Sequence, residues 1–168
     1  MYKRVLIFVA ALVFTLSSCS KPPVTKEEIA NKYSKGFSAS FEAEFFGKEL
    51  RGEIEKDGEE LVLSFSAPEA LAGVSIDTEG GGKISFSGME TDMDIKLLPE
   101  KSPIAEVFRL FGSLSAPENF EIAESGDEVR VTAEGMSAVL ERENLSVKSA
   151  AFDKSGRVFC FTGFEFRE

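Results

Sequence analysis

The chain has 168 residues, with 19 Lys and Arg against 29 Asp and Glu, no His and no Trp, and a formal net charge of −10. The missing histidine excludes Ser-His-Asp and Cys-His catalysis and any histidine-ligated metal. The acidic balance disfavours nucleic acid, whose binding depends on Lys and Arg against phosphates, and flat electrostatic docking on anionic lipid.

Residues 1–18 read as an export signal. Lys3 and Arg4 form a positive n-region, and Val5 to Leu16 form an apolar run of 12 residues. A membrane-spanning helix needs about 20, so this run fits a secretory h-region instead. Leu16-Ser17-Ser18-Cys19 follows. This resembles the lipobox of bacterial lipoproteins, and the resemblance implies that Cys19 becomes the N-terminus and carries a diacylglyceryl group. Acyl chains such as palmitate then anchor the protein without a span, because two chains bury enough CH₂ groups at about 0.8 kcal/mol each. Cys160, the second of two cysteines, is left without a disulfide partner. Flanked by Phe159 and Phe161, it is expected to act as a small hydrophobe. The expected organisation is 1–18 signal peptide, 19–24 lipidated N-terminus and tether, and 25–168 a single domain. A mature chain of that size can bury roughly 68% of its unfolded surface and needs no staples.

Pro22 and Pro23 make the tether semi-rigid and extended. Thr25-x-x-Glu28 is a capping box that opens a short helix carrying Ile29, Ala30 and Tyr33, and Gly36 can close it. From Phe37 the period changes to two. Phe37, Ala39, Phe41, Ala43 and Phe45 alternate with Ser and Glu, one face apolar and one wet. Gly47-Lys48 turns the chain, Leu50, Gly52 and Ile54 continue the alternation, and Asp57-Gly58 marks a hairpin into Leu61, Leu63 and Phe65. Three strands joined by short turns make an antiparallel meander.

Pro68 to Gly73 reads as one helical turn. Val74 to Asp77 and Lys83 to Met89 read as short strands around Gly80-Gly81-Gly82, which lacks the G-K-[ST] and following helix of a phosphate loop and suits a hairpin tip. Met93, Ile95 and Leu97 alternate with Asp92, Asp94 and Lys96 and predict another strand. Ser102-Pro103 caps a helix with Ile104, Val107, Phe108, Phe111 and Leu114 at helical spacing, the longest amphipathic segment of the mature chain. It is expected to lie on the sheet, as core or as a lid. Strands follow over 120–124, 129–134, 136–142 and 145–152. A turn at Asp153 to Gly156 leads into Arg157 to Phe166, where alternation sends Phe159 and Phe161 one way and Phe164 and Phe166 the other. The expectation is a mainly β (α+β) domain of about ten strands: a strongly curved antiparallel sheet, or incomplete β-barrel, with helices packed on its concave side.

The order of elements is similar to the Lol-type family of lipoprotein carrier and sorting proteins. The likeness rests on the short helix running into Phe37-x-Ala39-x-Phe41, the Gly52-x-Ile54 strand, the hairpin ending Phe65-x-x-Pro68-Glu69 and the Phe152-Asp-x-x-Gly156 hairpin. It implies an incomplete barrel with a hydrophobic, lipid-sized cavity on the concave side. The expected lining is Phe37, Phe41, Phe45, Phe65, Phe86, Phe108 and Phe111.

No catalytic constellation accompanies this. Glu42 with Glu44 and Asp92 with Asp94 lie on wet strand faces, Glu165 falls opposite Phe164 and Phe166, and Asp92-Met-Asp94 does not continue into a calcium loop. The chain is therefore expected to be no enzyme and to need no cofactor and no metal. Two functions remain. One is a membrane-anchored extracytoplasmic lipoprotein of the cell or outer membrane that binds a lipid or other hydrophobic ligand. The other is a structural or interaction lipoprotein of the envelope with a filled core, engaging a protein partner by its edges or loops.

Overall fold

The computed structural model describes residues 22–167. The signal segment 1–18, Cys19 and the start of the tether lie outside the described residues. Helix α1 (Lys26–Lys35) begins where the capping box places it: the Thr25 side chain accepts from the Glu28 amide at 3.1 Å. Glu27 and Glu28 sit in its first turn and Lys32 and Lys35 in its last, each matching the helix dipole. Strands β1 (Gly36–Phe45), β2 (Lys48–Asp57) and β3 (Glu60–Ala67) form the expected meander, which β4 (Val74–Asp77), β5 (Lys83–Phe86) and β6 (Met89–Asp92) extend. Helix α2 (Pro103–Leu114) follows, capped by Ser102, whose hydroxyl accepts from the Ala105 amide at 3.2 Å. The chain then continues through β7 (Phe120–Ser125), β8 (Glu128–Ala133), β9 (Met136–Glu141), β10 (Val147–Phe152) and β11 (Arg157–Phe166).

All eleven strands form one antiparallel sheet in the order β6-β5-β4-β3-β2-β1-β11-β10-β9-β8-β7. Two meanders are thus joined where β1 pairs with β11, and β6 and β7 remain free edges. The sheet curves without closing, and the two helices cover its concave side. This is the half-barrel architecture expected of the sequence.

Three local expectations are corrected. The segment Lys83 to Met89 is not one strand. Ser87 and Gly88, both at positive φ, make a two-residue turn, so that Phe86 pairs with Met89 and β6 runs to Asp92. The alternation over Met93 to Leu97 is not a strand either. Asp94 accepts from the Lys96 amide at 2.9 Å and starts a 3₁₀ turn over Ile95–Leu97. The third correction concerns β11. Phe164 and Phe166 do not oppose Phe159 and Phe161. A bulge shifts the register between Ser38 and Ser40, and Gly163 adopts φ 62° within it. The extra residue returns Phe164 and Phe166 to the concave face, where Phe164 lies 6.3 Å from Phe161 and 5.4 Å from Phe37. Cys160, between two inward phenylalanines, faces outward and is exposed rather than buried.

The register also fixes two ends. At one end lie the β1–β2 turn and the β10–β11 turn, because Phe45 pairs with Lys48, Phe152 with Arg157 and Ala43 with Phe159. At the other lie Gly36 and the Phe37–Phe166 pair, and α1 runs directly into them. Helix α1 therefore closes that end. Its Tyr33 hydroxyl donates to the Leu145 carbonyl at 2.8 Å and accepts from the Val147 amide at 3.1 Å. Pro22 and Val24 also pack onto the domain, Val24 as a buried residue. The Val24 amide donates to Glu124 at 2.8 Å, and the Pro22 carbonyl accepts from Arg142 at 3.0 Å. Every buried apolar residue among those described falls between Val24 and Phe161, so a chain starting at Ser20 keeps the whole core.

Candidate ligand-binding groove

The concave side is filled, not hollow. Phe37, Phe41, Phe65 and Phe111 are buried, and so are Val107, Leu110 and Leu114 of α2. Phe111 reaches Phe37 at 4.7 Å and Phe161 at 5.6 Å between ring centres, and Phe41 meets Phe65 at 5.9 Å. Tyr33 joins this cluster, 5.9 Å from Phe111 and 5.5 Å from Phe37. Packing is tight enough that Gly52 leaves no room for a side chain. A Cβ there would sit 2.2 Å from the Ser64 carbonyl oxygen and 2.8 Å from the Phe41 ring.

The other three phenylalanines expected to line a cavity lie elsewhere. Phe86 is 45% exposed on β5, far along the sheet toward its β6 edge. Phe108 is half-buried on α2, and Phe45 is half-buried at the open end of the sheet. Of the seven, the structure brings together Phe37, Phe41, Phe65 and Phe111 in the core and sets Phe45 at its mouth.

At that mouth a groove of about 610 Å³ opens between the β1–β2 turn, the residue before Ser102 and the β10–β11 turn. Its apolar lining is Phe45, Phe46 and Val158; its charged lining is Lys101, Lys154, Arg157 and Glu44. Phe46 is 89% exposed. It also sits at φ 52°, followed by Gly47 at φ 70°, the positive pair that a tight two-residue hairpin turn requires. Asn or Gly normally fills such a position; for a residue with a bulky side chain the left-handed region costs roughly 1–2 kcal/mol. Here nothing is buried in return.

Beneath the groove lies an ion pair linking α2 to β11. Arg157 donates through Nη1 to the Glu106 carboxylate and to the Lys101 carbonyl at 3.3 Å, and its guanidinium lies 5.0 Å from the Phe45 ring centre. The Glu106 side chain is 1% exposed and that of Arg157 10%. The Arg157 Nε is buried and has no hydrogen-bond partner among the described residues. Lys154 pairs at the surface with Glu100 at 2.6 Å, which holds the Glu100 carboxyl below its usual range. Hydrophobic periodicity does not mark this site. The groove is assembled from turn residues, whose orientation no alternation encodes; the one available signal was two consecutive Phe immediately before a turn glycine.

The other titratable features are ordinary by comparison. Glu60, Asp77 and Glu79 bring carboxylate oxygens within 4.8 Å of one another at the β3–β4 end. Repulsion from Asp77 pushes the Glu60 carboxyl up, and Lys83 lies 3.6 Å from Glu79. No helix among the described residues is long and apolar enough to cross a membrane.

No family model matches the chain, and no curated protein matches it in sequence. Solved structures do. An uncharacterised conserved protein from Thermus thermophilus superposes with a TM-score of 0.55 at 10% identity, over 84% of this chain and 85% of that one. A LolA superfamily protein from Nitrosomonas europaea gives 0.42 at 11% identity, over 87% and 95%. A chain of the Pseudomonas aeruginosa MucA/MucB complex gives 0.48 at 16% identity, over 83% of this chain and 55% of that one. The likeness to the Thermus protein is one of fold.

Proposed function

We propose that this is an extracytoplasmic lipoprotein, anchored through Cys19, that binds the alkyl part of a lipid or similar ligand at the mouth of its half-barrel. The observation that carries the binding reading is Phe46. A large apolar ring stands exposed, in a backbone conformation that disfavours it, beside Phe45 at 4.3 Å between ring centres and at the rim of a 610 Å³ groove. Strain retained without a folding benefit is characteristic of sites kept for function. An alkyl chain laid across Phe45, Phe46 and Val158 would cover that surface, gaining about 0.8 kcal/mol per buried CH₂. The reading needs no empty interior.

A second reading is favoured by the filled concave face: a solid envelope scaffold that engages a protein and takes no ligand. One experiment separates them. The chain from Ser20 is purified from bacteria, examined by native mass spectrometry for bound lipid, and titrated with an environment-sensitive apolar dye. Co-purified lipid, and dye binding that Phe46→Asn weakens, support the groove. Neither lipid nor dye binding leaves the scaffold. The anchor is tested separately in the full chain: Cys19→Ser should abolish fatty-acid labelling and membrane retention, and unchanged labelling would refute it.

A further inference from the structure

The charge of the mouth groove runs against that of the chain. In a protein with 29 acidic and 19 basic residues, the groove is lined by Lys101, Lys154 and Arg157 against Glu44 alone. Two other grooves show the opposite, while the one that shares Lys154 with the mouth is balanced, with Arg109 and Lys154 against Glu100 and Glu134. The one on the outward face behind Ser38 and Ser40 is lined by Glu53, Glu55 and Glu165 with no cation, and the one around Cys160 by Glu42, Glu44 and Glu49. A hydrophobic ligand with a neutral head gains nothing from three cations at the edge of its apolar bed. We propose that the ligand of this groove is an anionic amphiphile: an alkyl chain on Phe45, Phe46 and Val158, with a carboxylate or phosphate head at Lys101, Lys154 and Arg157. The proposal rests on the alkyl-binding reading given above and adds the head.

The three cations differ in what they can offer. Lys101 is exposed and forms no ion pair among the described residues, so its ammonium is free to meet a head group. Lys154 is engaged by Glu100 at the surface, an exposed pair that a better-placed anion can displace at little loss. Arg157 is pinned. Its charge is shared with buried Glu106, yet its Nε has no acceptor among the described residues. Phe45 packs against that guanidinium and is only half-buried, so the orphaned donor belongs to a side chain that itself lines the groove. Charge-assisted bonds of this kind are roughly twice as strong as neutral ones. The arrangement also sets a direction, with the head toward α2 and the β10–β11 turn and the chain toward the β1–β2 turn.

The test uses the chain from Ser20 and four probes sharing a twelve-carbon chain: dodecanoate, dodecyl phosphate, dodecyl maltoside and dodecyltrimethylammonium, each below its micelle concentration. Affinity is read by calorimetry and position by amide shifts at residues 44–46, 101 and 154–158. The two anions should bind about tenfold or more tighter than the neutral and cationic probes, the worth of one charge-assisted contact. In Lys101→Gln/Lys154→Gln, folded with an unchanged melting temperature, that discrimination should shrink to about twofold. Tighter binding of dodecanoate would assign a free fatty acid, and tighter binding of dodecyl phosphate a phospholipid-type head; either supports the proposal. Equal affinity for all four heads overturns the head assignment and leaves alkyl binding standing. Acetate or inorganic phosphate binding as tightly as the twelve-carbon anions shows an anion site only and overturns the amphiphile. Failure of every twelve-carbon probe removes the alkyl-binding reading itself.

Discussion

The two ends of the half-barrel use the same residue types to opposite effect. At the closed end Tyr33, Phe37 and Phe111 are fully buried, and even the Tyr33 hydroxyl has both a donor and an acceptor partner. At the mouth Phe45 and Phe108 are half-covered, Phe46 and Val158 stand exposed, and Arg157 keeps a buried N–H that has no acceptor among the described residues. The closed end is arranged as a fold optimised for stability is arranged. The mouth departs from that rule at several adjacent residues, and such departures concentrate where a surface is kept for binding. Helix α2 runs between the two, so substitutions along it should separate them.

The largest expected contrast lies on that helix. Phe111→Ala removes a fully buried ring from the aromatic cluster and should cost about 3–5 kcal/mol. Phe108→Ala, one turn nearer the mouth and half-buried, should cost about 1 kcal/mol. Urea denaturation of both variants measures the difference. Equal losses would mean that α2 is uniformly core and that the mouth is not a distinct region.

Arg157→Ala should cost about 3 kcal/mol, because it strands the Glu106 carboxylate, whose side chain is 1% exposed, without its partner. Replacing both residues, as Arg157→Met with Glu106→Leu, should recover most of that loss. If the double variant is no more stable than the single one, the pair is not what ties α2 to β11.

At the closed end Tyr33→Phe should cost about 2 kcal/mol, since the Leu145 carbonyl and Val147 amide are both left unsatisfied. Tyr33 also carries a pH signature. Burial pushes its phenol well above the ordinary tyrosine value, partly opposed by the Val147 amide. The stabilising difference is fully present below about pH 10, where both states are protonated. It is lost as pH rises further, because the unfolded phenol ionises and the folded one does not. Burial pushes the Lys32 and Lys56 ammoniums down, which penalises their charged forms. That penalty fades as pH rises, so these lysines bend the curve the other way. Comparing wild type with Tyr33→Phe isolates the phenol, which is the only tyrosine in a chain starting at Ser20. Tyrosinate absorbance that appears in the folded state near pH 10 would contradict the burial.

Alternation and capping made the closed end legible from the sequence. Strict period two over Phe37 to Phe45 located β1 and its inward face, and the Thr25 and Ser102 caps located both helices. What alternation could not carry was any place where the count of residues per pleat changes. Gly163 inserts one residue and reverses the face of Phe164 and Phe166; Ser87-Gly88 splits a run that reads as one strand. The mouth was illegible for the same reason. Lys101, Phe46, Lys154 and Arg157 come from three turns or strand ends; the register of β1 with β11 brings Phe46 to Arg157, and the Arg157 contacts with Glu106 and the Lys101 carbonyl bring in the start of α2. The family likeness suggested a hollow interior, and side-chain volume decided otherwise: phenylalanines on the concave strands and on α2 meet ring to ring and fill it.

The smallest expected effect on stability is the most informative about the mouth. Phe46 occupies a left-handed position that Asn adopts more readily. Its ring is solvated, so removing it forfeits almost no burial. Phe46→Asn should therefore raise stability, by about 0.5–1 kcal/mol, as relieved turn strain does elsewhere. The same variant should weaken binding of dodecanoate or an apolar dye by about tenfold, because it deletes the most exposed part of the apolar bed. A gain in stability together with a loss of binding is the trade-off expected where a strained residue is retained for a ligand. If Phe46→Asn stabilises the fold and leaves probe binding unchanged, the exposed phenylalanine has no part in ligand binding. If it destabilises the fold, the ring is packed in solution, and the contrast between the two ends disappears at the residue that defines it most sharply.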